Sequence, residues 1–89
     1  MNYRMQIAPN PSILLISTDK NFVGEITEIT RGNLGTAPKG AKEIAEKLLE
    51  IEEIYTLQFD EEGRIEIDAV EEVDWDQIIP QIENILDLF

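Results

Sequence analysis

The sequence predicts an α+β fold: a two-layer sandwich in which an antiparallel sheet of four or five strands, built from two hairpins, has two helices on one face. Two patterns support this prediction. Segments in which apolar and polar residues alternate occur in pairs joined by short turns, as expected of β-hairpins. Segments with helical periodicity follow these pairs, which is typical of an α+β architecture. The chain has 89 residues, a length that suits one domain, and we assign residues 1–89 to it.

The first hairpin is predicted from the N-terminal residues. Apolar and polar side chains alternate over residues 3–7, which indicates a strand with one buried face. Pro9 and Pro11 end this strand, because proline fixes φ and has no amide hydrogen to donate. The apolar run 13–16 indicates a second strand, either inside the sheet or buried on both faces. Residues 25–30 contain threonine and isoleucine and are predicted to form a further short strand.

The middle of the chain predicts a helix and the second hairpin. Apolar residues recur at helical spacing over residues 38–50. Alternation returns over residues 55–59 and 65–69, and the acidic turn 60–63 between them ends in a glycine. The spacing of this turn does not match a calcium-binding EF-hand loop. The glycine-containing segment 35–42 lacks the lysine and hydroxyl residue that a phosphate-binding loop places directly after its second glycine.

The last helix is predicted to begin after Asp74. Its side chain can cap the helix, with Gln77 three residues later in the capping-box position. The sole tryptophan, Trp75, lies on the apolar stripe of this helix and is expected in the core rather than exposed as an anchor for a partner. Pro80 lies inside the helix and is expected to remove one backbone hydrogen bond and to kink the helix.

The composition limits the chemistry that the chain can perform. Cysteine and histidine are both absent, which excludes disulfides, thiolate nucleophiles, Cys/His zinc sites and an imidazole base. We therefore predict no catalytic residues, no cofactor and no metal ligands. The expected role is non-enzymatic.

The charge of the chain is strongly acidic, at −12, and unevenly distributed. Residues 1–42 carry five basic and three acidic side chains, whereas residues 43–89 carry two basic and sixteen acidic ones. Nucleic acid binding requires a cluster of basic residues, and anionic membranes repel acidic surfaces, so we predict neither partner. A basic protein is the partner that this charge favours.

Acidic residues expected in solvent are the candidates for a surface that faces such a partner. The residues that we single out are Glu52, Glu61, Glu62 and Glu71. Two alternatives remain open. The acids could serve only to keep the domain soluble, or they could hold ferrous iron or calcium weakly, which would make the chain a low-affinity metal carrier.

The apolar segments are short. The longest strongly apolar run has four residues, far fewer than the roughly 20 that a membrane helix needs. The first residues lack the cationic and apolar regions of a signal peptide. We therefore expect a cytoplasmic location.

Two short motifs resemble the N-terminal domain family of the Nfu and NifU proteins. Pro9-Asn10-Pro11, followed by serine and an apolar run, is similar to the Pro-Asn-Pro start of that family. In the last helix, Trp75 and Pro80 match the family's Trp-x-x-(Leu/Ile)-x-Pro-x-Ile pattern.

A third, longer segment is also similar to this family. Residues 41–59 follow its helix-to-strand passage, except that Glu53 and Ile54 stand where the family usually has glycine and valine. The three segments occur in the family's order, and the resemblance covers nearly the whole chain outside residues 20–38.

The resemblance implies a non-enzymatic accessory module in iron–sulfur cluster assembly. Its partner would be an iron–sulfur scaffold or client protein. In longer members the domain precedes a second domain whose Cys-x-x-Cys motif holds the cluster. This chain has no cysteine, so no cluster ligands can be assigned to it. An adaptor unrelated to iron is the remaining alternative.

Overall fold

The computed structural model describes all residues, 1–89, and contains a five-stranded antiparallel sheet with two helices. The strands are β1 (Tyr3–Ile7), β2 (Ile13–Thr18), β3 (Thr27–Thr30), β4 (Ile54–Phe59) and β5 (Arg64–Ala69). The helices are α1 (Lys39–Leu48) and α2 (Trp75–Leu86), and a single 3-10 turn spans Leu34–Thr36. The predicted α+β fold is confirmed. No helix is long and apolar enough to cross a bilayer.

The two hairpins join into one sheet through β2 and β5, and the strand order is β1-β2-β5-β4-β3. Leu14 lies opposite Ile67 and Ile16 lies opposite Ile65 in this central pairing. All four side chains are at most 1% exposed. Because side chains alternate between the faces of a strand, this register places one apolar row from each strand on the same face.

Only one face of the sheet is covered. The core is a single cluster of 21 buried apolar residues drawn from all parts of the sheet except β1, and from both helices. In β2, Leu14 and Ile16 are buried, but Leu15 is 38% exposed. The possibility that this apolar run is buried on both faces is therefore wrong, because no layer of the chain packs on its other side. Its interior position in the sheet is confirmed.

Helix α1 ends earlier than its apolar periodicity predicts. The helix stops at Leu48, and Leu49 takes the C-cap position. The Arg31 guanidinium donates to the carbonyl oxygens of Leu49 at 2.6 Å and of Ile51 at 2.9 Å. A cation at a helix C-terminus satisfies carbonyls that have no partner within the helix and lies at the negative end of its dipole.

Helix α2 begins as predicted but is capped differently. The Asp74 side chain accepts a hydrogen bond from the Asp76 amide at 3.1 Å, as an N-cap does. Gln77 does not complete a capping box, since no side-chain bond returns to the Asp74 amide; instead its carbonyl accepts a bond from the Gln81 side chain. The helix continues through Pro80, whose ring lies on the exposed side.

The β4–β5 turn depends on Gly63, the only residue with a positive φ, at 84°. This value is in the left-handed region that favours glycine. A Cβ at this position would also meet the carbonyl oxygens of Lys20 and Thr18, the latter at 2.8 Å. The Gly63 carbonyl accepts bonds from the amide and the hydroxyl of Thr18, so this turn is fixed to the end of β2.

Candidate functional site

Three loops meet at one end of the sheet. They are the β1–β2 turn (residues 8–12), the α1–β4 turn (49–53) and the β5–α2 segment (70–76). The Ala69 amide donates to the Ser12 carbonyl and the Val70 amide donates to the Glu53 carbonyl, both at 2.9 Å. These two bonds hold the three loops side by side. We call residues 8–12, 49–53 and 70–76 the acidic end.

The Pro-Asn-Pro turn and the tryptophan of the last helix are in direct contact at the acidic end. The Trp75 indole N–H donates to the Pro11 carbonyl oxygen at 2.7 Å, and the side chain is only 6% exposed. Asn10 Oδ1 accepts bonds from the Ser12 amide at 3.1 Å and from its hydroxyl at 2.8 Å, which fixes the turn. The expectation that Trp75 lies in the core is confirmed. It packs as an apolar residue and also uses its polar N–H.

Seven carboxylates lie in the three loops of the acidic end and at the start of α2. All of them are exposed: Glu50, Glu52, Glu53, Glu71, Glu72, Asp74 and Asp76. The Arg31 guanidinium, which lies at this end, donates to the backbone carbonyls of Leu49 and Ile51 and forms no salt bridge. This end of the molecule is therefore strongly negative, which fits the predicted attraction of a basic partner.

The four glutamates singled out from the sequence are exposed but do not form one surface. Glu52 and Glu71 lie at the acidic end, whereas Glu61 and Glu62 lie in the β4–β5 turn at the other end of the sheet. The strands between them have six residues, which separates the two pairs by about 20 Å. Glu62 also forms an exposed ion pair with Arg64. The two pairs must therefore be considered separately.

The acids are not arranged as a metal site. Across residues 1–89 no three Asp, Glu, His or Cys side chains are grouped so that they could hold one metal ion. The carboxylates of the acidic end belong to separate loops and point into solvent. Their arrangement suits long-range attraction of a positively charged surface better than coordination of a cation, which needs several oxygens around one point.

The uncovered face of the sheet contains a shallow cavity of about 530 Å³, bordered by β1, β2, β4 and β5. Arg4, Ser17 and Arg64 form one cross-strand row along it. Glu66 lies beside this row, and Asp68 follows on the same face. A hydrogen bond to Asp68, partial burial and the charge of Asp68 together raise the pKa of Glu66 above its usual value.

The sequence indicated the polar side of each strand but not this open face. Period-two alternation places Arg4 and Gln6 on one side of β1, and Arg64 and Glu66 on one side of β5. The pairing of β2 with β5 brings these sets together, and it joins residues about 50 positions apart. No local pattern specifies such a register.

Comparisons with known proteins were made for the sequence and for the fold. No family model and no curated protein matches the sequence. Several solved structures match the fold. The crystal structure of protein SAV1430 from Staphylococcus aureus has a TM-score of 0.78 at 15% identity, covering 97% of this chain and 99% of that one. A NifU-like protein from Saccharomyces cerevisiae has a TM-score of 0.74 at 19% identity, covering 96% of this chain and 74% of that one.

A third structure, protein SeR13 from Staphylococcus epidermidis, has a TM-score of 0.66 at 24% identity and covers 96% of this chain and 93% of that one. All of these alignments extend over nearly the whole chain. The chain therefore shares its fold with a NifU-like protein, and the resemblance to the Nfu/NifU N-terminal domain is confirmed as a resemblance of fold.

Proposed function

We propose that the chain is a non-enzymatic accessory module of iron–sulfur cluster assembly, and that it acts by binding a scaffold or client protein in the cytoplasm. The observation that carries the proposal is the match to the fold of the yeast NifU-like protein over 96% of this chain. The link between the two family motifs, from the Trp75 N–H to the Pro11 carbonyl, supports it further.

The composition supports a role beside the cluster rather than as its carrier. A cluster is held by thiolates or, at some positions, by imidazoles, and the chain contains neither cysteine nor histidine. We expect the purified chain to assemble no cluster from iron and sulfide. A visible charge-transfer absorption that remains with the protein through gel filtration would contradict this expectation.

The acidic end is the surface that we assign to the partner. Seven exposed carboxylates lie there, and none of them forms a salt bridge. Such a field accelerates the encounter with a basic surface, and the acceleration falls as salt rises. At about 0.15 M salt the screening length is about 8 Å, so the charges act mainly on the association rate.

The separation of the four glutamates gives a matched pair of variants. Glu52→Gln with Glu71→Gln removes two charges at the acidic end, and Glu61→Gln with Glu62→Gln removes two at the other end. Both variants change the net charge equally, and all four positions are exposed, so neither should alter the fold. Only the first is expected to slow association with the partner.

The test is a titration of the isotope-labelled chain with a purified Cys-x-x-Cys scaffold domain from the same cell. We expect shifts of amide signals at residues 8–12, 49–53 and 70–76. Stopped-flow association rates across a salt series then compare the two variants. Equal rates and equal salt slopes would show that the acids serve solubility alone, and an unshifted spectrum at saturating scaffold would contradict the proposed partner.

A further inference from the structure

We propose that β1 is a docking edge at which an extended segment of a partner protein adds a further strand to the sheet. Strand addition uses the backbone N–H and C=O groups that an edge strand leaves unpaired. The two edges of this sheet are β1 and β3, and only one of them is open. The inference concerns a different surface from the acidic end and does not depend on a role in iron–sulfur assembly.

Every second residue of β1 directs its backbone groups away from the sheet. The Asp19 amide donates to the Asn2 carbonyl at 3.1 Å, and the Ala8 amide donates to the Ile13 carbonyl at 2.9 Å. Both pairs continue the register of β1 on β2. Because hydrogen-bonded and non-bonded pairs alternate in an antiparallel ladder, three residues between them have outward N–H and C=O groups without a partner: Tyr3, Met5 and Ile7.

The other edge is closed by a single residue, Asn33. Asn33 Oδ1 accepts a bond from the Thr30 amide at 2.8 Å, and Asn33 Nδ2 donates to the Glu28 carbonyl at 3.1 Å. The Asn33 amide also donates to the Thr30 carbonyl at 3.3 Å. Three of the four outward backbone groups of Glu28 and Thr30 are therefore occupied. A strand could not pair with β3 without displacing Asn33, whereas β1 has no such obstacle.

The side chains of β1 specify the chemistry of the added strand. On the side of the helices, Tyr3 and Met5 are partly buried and Ile7 is 46% exposed, so apolar residues in the new strand would cover them. On the open face, Arg4 is exposed and forms no ion pair. A carboxylate opposite Arg4 would make a favourable cross-strand pair. The fitting occupant is an extended segment with apolar residues at alternate positions and an acidic residue between them.

The preference of β1 for an acidic segment is opposite to the preference of the whole molecule, which attracts basic ones. At a net charge of −12 the chain attracts basic peptides at long range. An acidic peptide that binds better than its basic counterpart must therefore be recognised at a particular cation. Arg4 is the only charged residue of β1. A preference for the acidic peptide over the basic one therefore indicates binding at β1.

The experiment uses end-blocked heptapeptides of the sequence Thr-Val-Glu-Val-Glu-Val-Thr, and the same peptide with lysine in place of glutamate. Each is titrated to millimolar concentration into the isotope-labelled chain at about 0.15 M salt. We expect amide shifts and slowed hydrogen exchange at Tyr3, Met5 and Ile7. The glutamate peptide should bind about threefold tighter, the order expected of one cross-strand charge pair, and Arg4→Glu should reverse the preference.

Two further variants and one modified peptide test the backbone pairing. Met5→Pro removes an outward amide that has no partner within the sheet, a position at which proline is tolerated on an edge, and should weaken binding at least tenfold. If that variant does not fold, the modified peptide decides, because it leaves the chain itself unchanged. Ile26→Lys, at an exposed apolar residue beside β3, is the matched control and should leave binding unchanged. A glutamate peptide N-methylated on its β1-facing amides should not bind.

Three results would overturn the proposal. One is binding of the N-methylated peptide as tightly as the parent, since backbone pairing would then play no part. Another is a set of shifts located at β3 or at the acidic end. The third is concentration-dependent dimerisation of the chain alone with protection of Met5, which would assign the edge to a second copy of this chain.

Discussion

Replacement of Trp75 by alanine should destabilise the domain severely. The side chain is 6% exposed, and a tryptophan presents up to about 250 Å² of surface. At about 25 cal/mol per Å² its burial contributes roughly 5–6 kcal/mol. Because unfolded chains already bury part of this surface, the estimate falls to about 3–5 kcal/mol, in the range measured for large-to-small changes in cores.

A second variant separates the hydrogen bond from the packing. Trp75→Phe keeps an aromatic ring but removes the N–H that donates to the Pro11 carbonyl at 2.7 Å. The carbonyl then loses its partner, which costs about 1–3 kcal/mol. The expected order of stability is wild type, then Trp75→Phe, then Trp75→Ala. Tyr55→Ala is the control, because Tyr55 is 49% exposed and its loss should change stability by about 0.5 kcal/mol or less.

The assay is urea unfolding followed by far-ultraviolet circular dichroism, since two of the variants lack the only tryptophan. A domain of this size is stable by only about 5–10 kcal/mol, so Trp75→Ala should have a midpoint near the low end of the urea range. If Trp75→Ala is within about 1 kcal/mol of wild type in its free energy of unfolding, the value typical of an ordinary substitution, the reasoning from the burial of Trp75 is refuted.

Three further variants test other parts of the structure by the same urea assay. Gly63→Ala should destabilise the domain by more than about 2 kcal/mol, because φ is 84° and the added Cβ meets carbonyl oxygens. Gly24→Ala is the control and should be near neutral, since its added Cβ meets nothing within 4 Å. Equal losses of stability in the two variants would contradict the description of the turn. Pro80→Ala should stabilise the domain by about 1–2 kcal/mol, since an exposed ring is lost and a helical hydrogen bond is regained. A loss of stability would show that the Pro80 ring packs against the rest of the domain. The raised pKa of Glu66 means that this carboxyl binds a proton more tightly in the folded chain than in the unfolded chain. The protonated carboxyl therefore stabilises the fold below the usual glutamate pKa of 4.5, and this stabilisation is lost as pH rises through the pKa of the folded state. Glu66→Gln should therefore be more stable than wild type at pH 7, with a smaller difference at pH 4, and a constant difference would contradict this reasoning.

The elements of the fold could be predicted because their patterns are local. Alternation in β1, β4 and β5 and helical spacing in α1 and α2 are each contained within a dozen residues. The sequence does not indicate that β3 starts at Thr27 rather than at residue 25, because the β-branched Ile26 just before the strand favours extended structure as well. The end of α1 depends on the guanidinium of Arg31, which lies 18 residues before the Leu49 carbonyl that it binds.

The surfaces could be predicted only in part, because they depend on how distant segments pair. The sequence identified which glutamates are exposed, but their division between two ends follows from the direction of β4 and β5. The link between Trp75 and Pro11 joins residues 64 positions apart. Likewise, nothing in the sequence distinguishes Asn33 from other loop residues, and only the fold shows that its side chain lies across the edge of β3.

The central claim, an accessory role in iron–sulfur assembly, is tested most directly by the rate of cluster transfer. A cluster-loaded Cys-x-x-Cys scaffold from the same cell is mixed with an apo-ferredoxin, and the appearance of the ferredoxin spectrum is followed with and without an equimolar amount of this chain. We predict that the wild-type chain changes the transfer rate severalfold and that Glu52→Gln with Glu71→Gln weakens the effect. A transfer rate that the chain leaves unchanged at every ratio to the scaffold would contradict this accessory role.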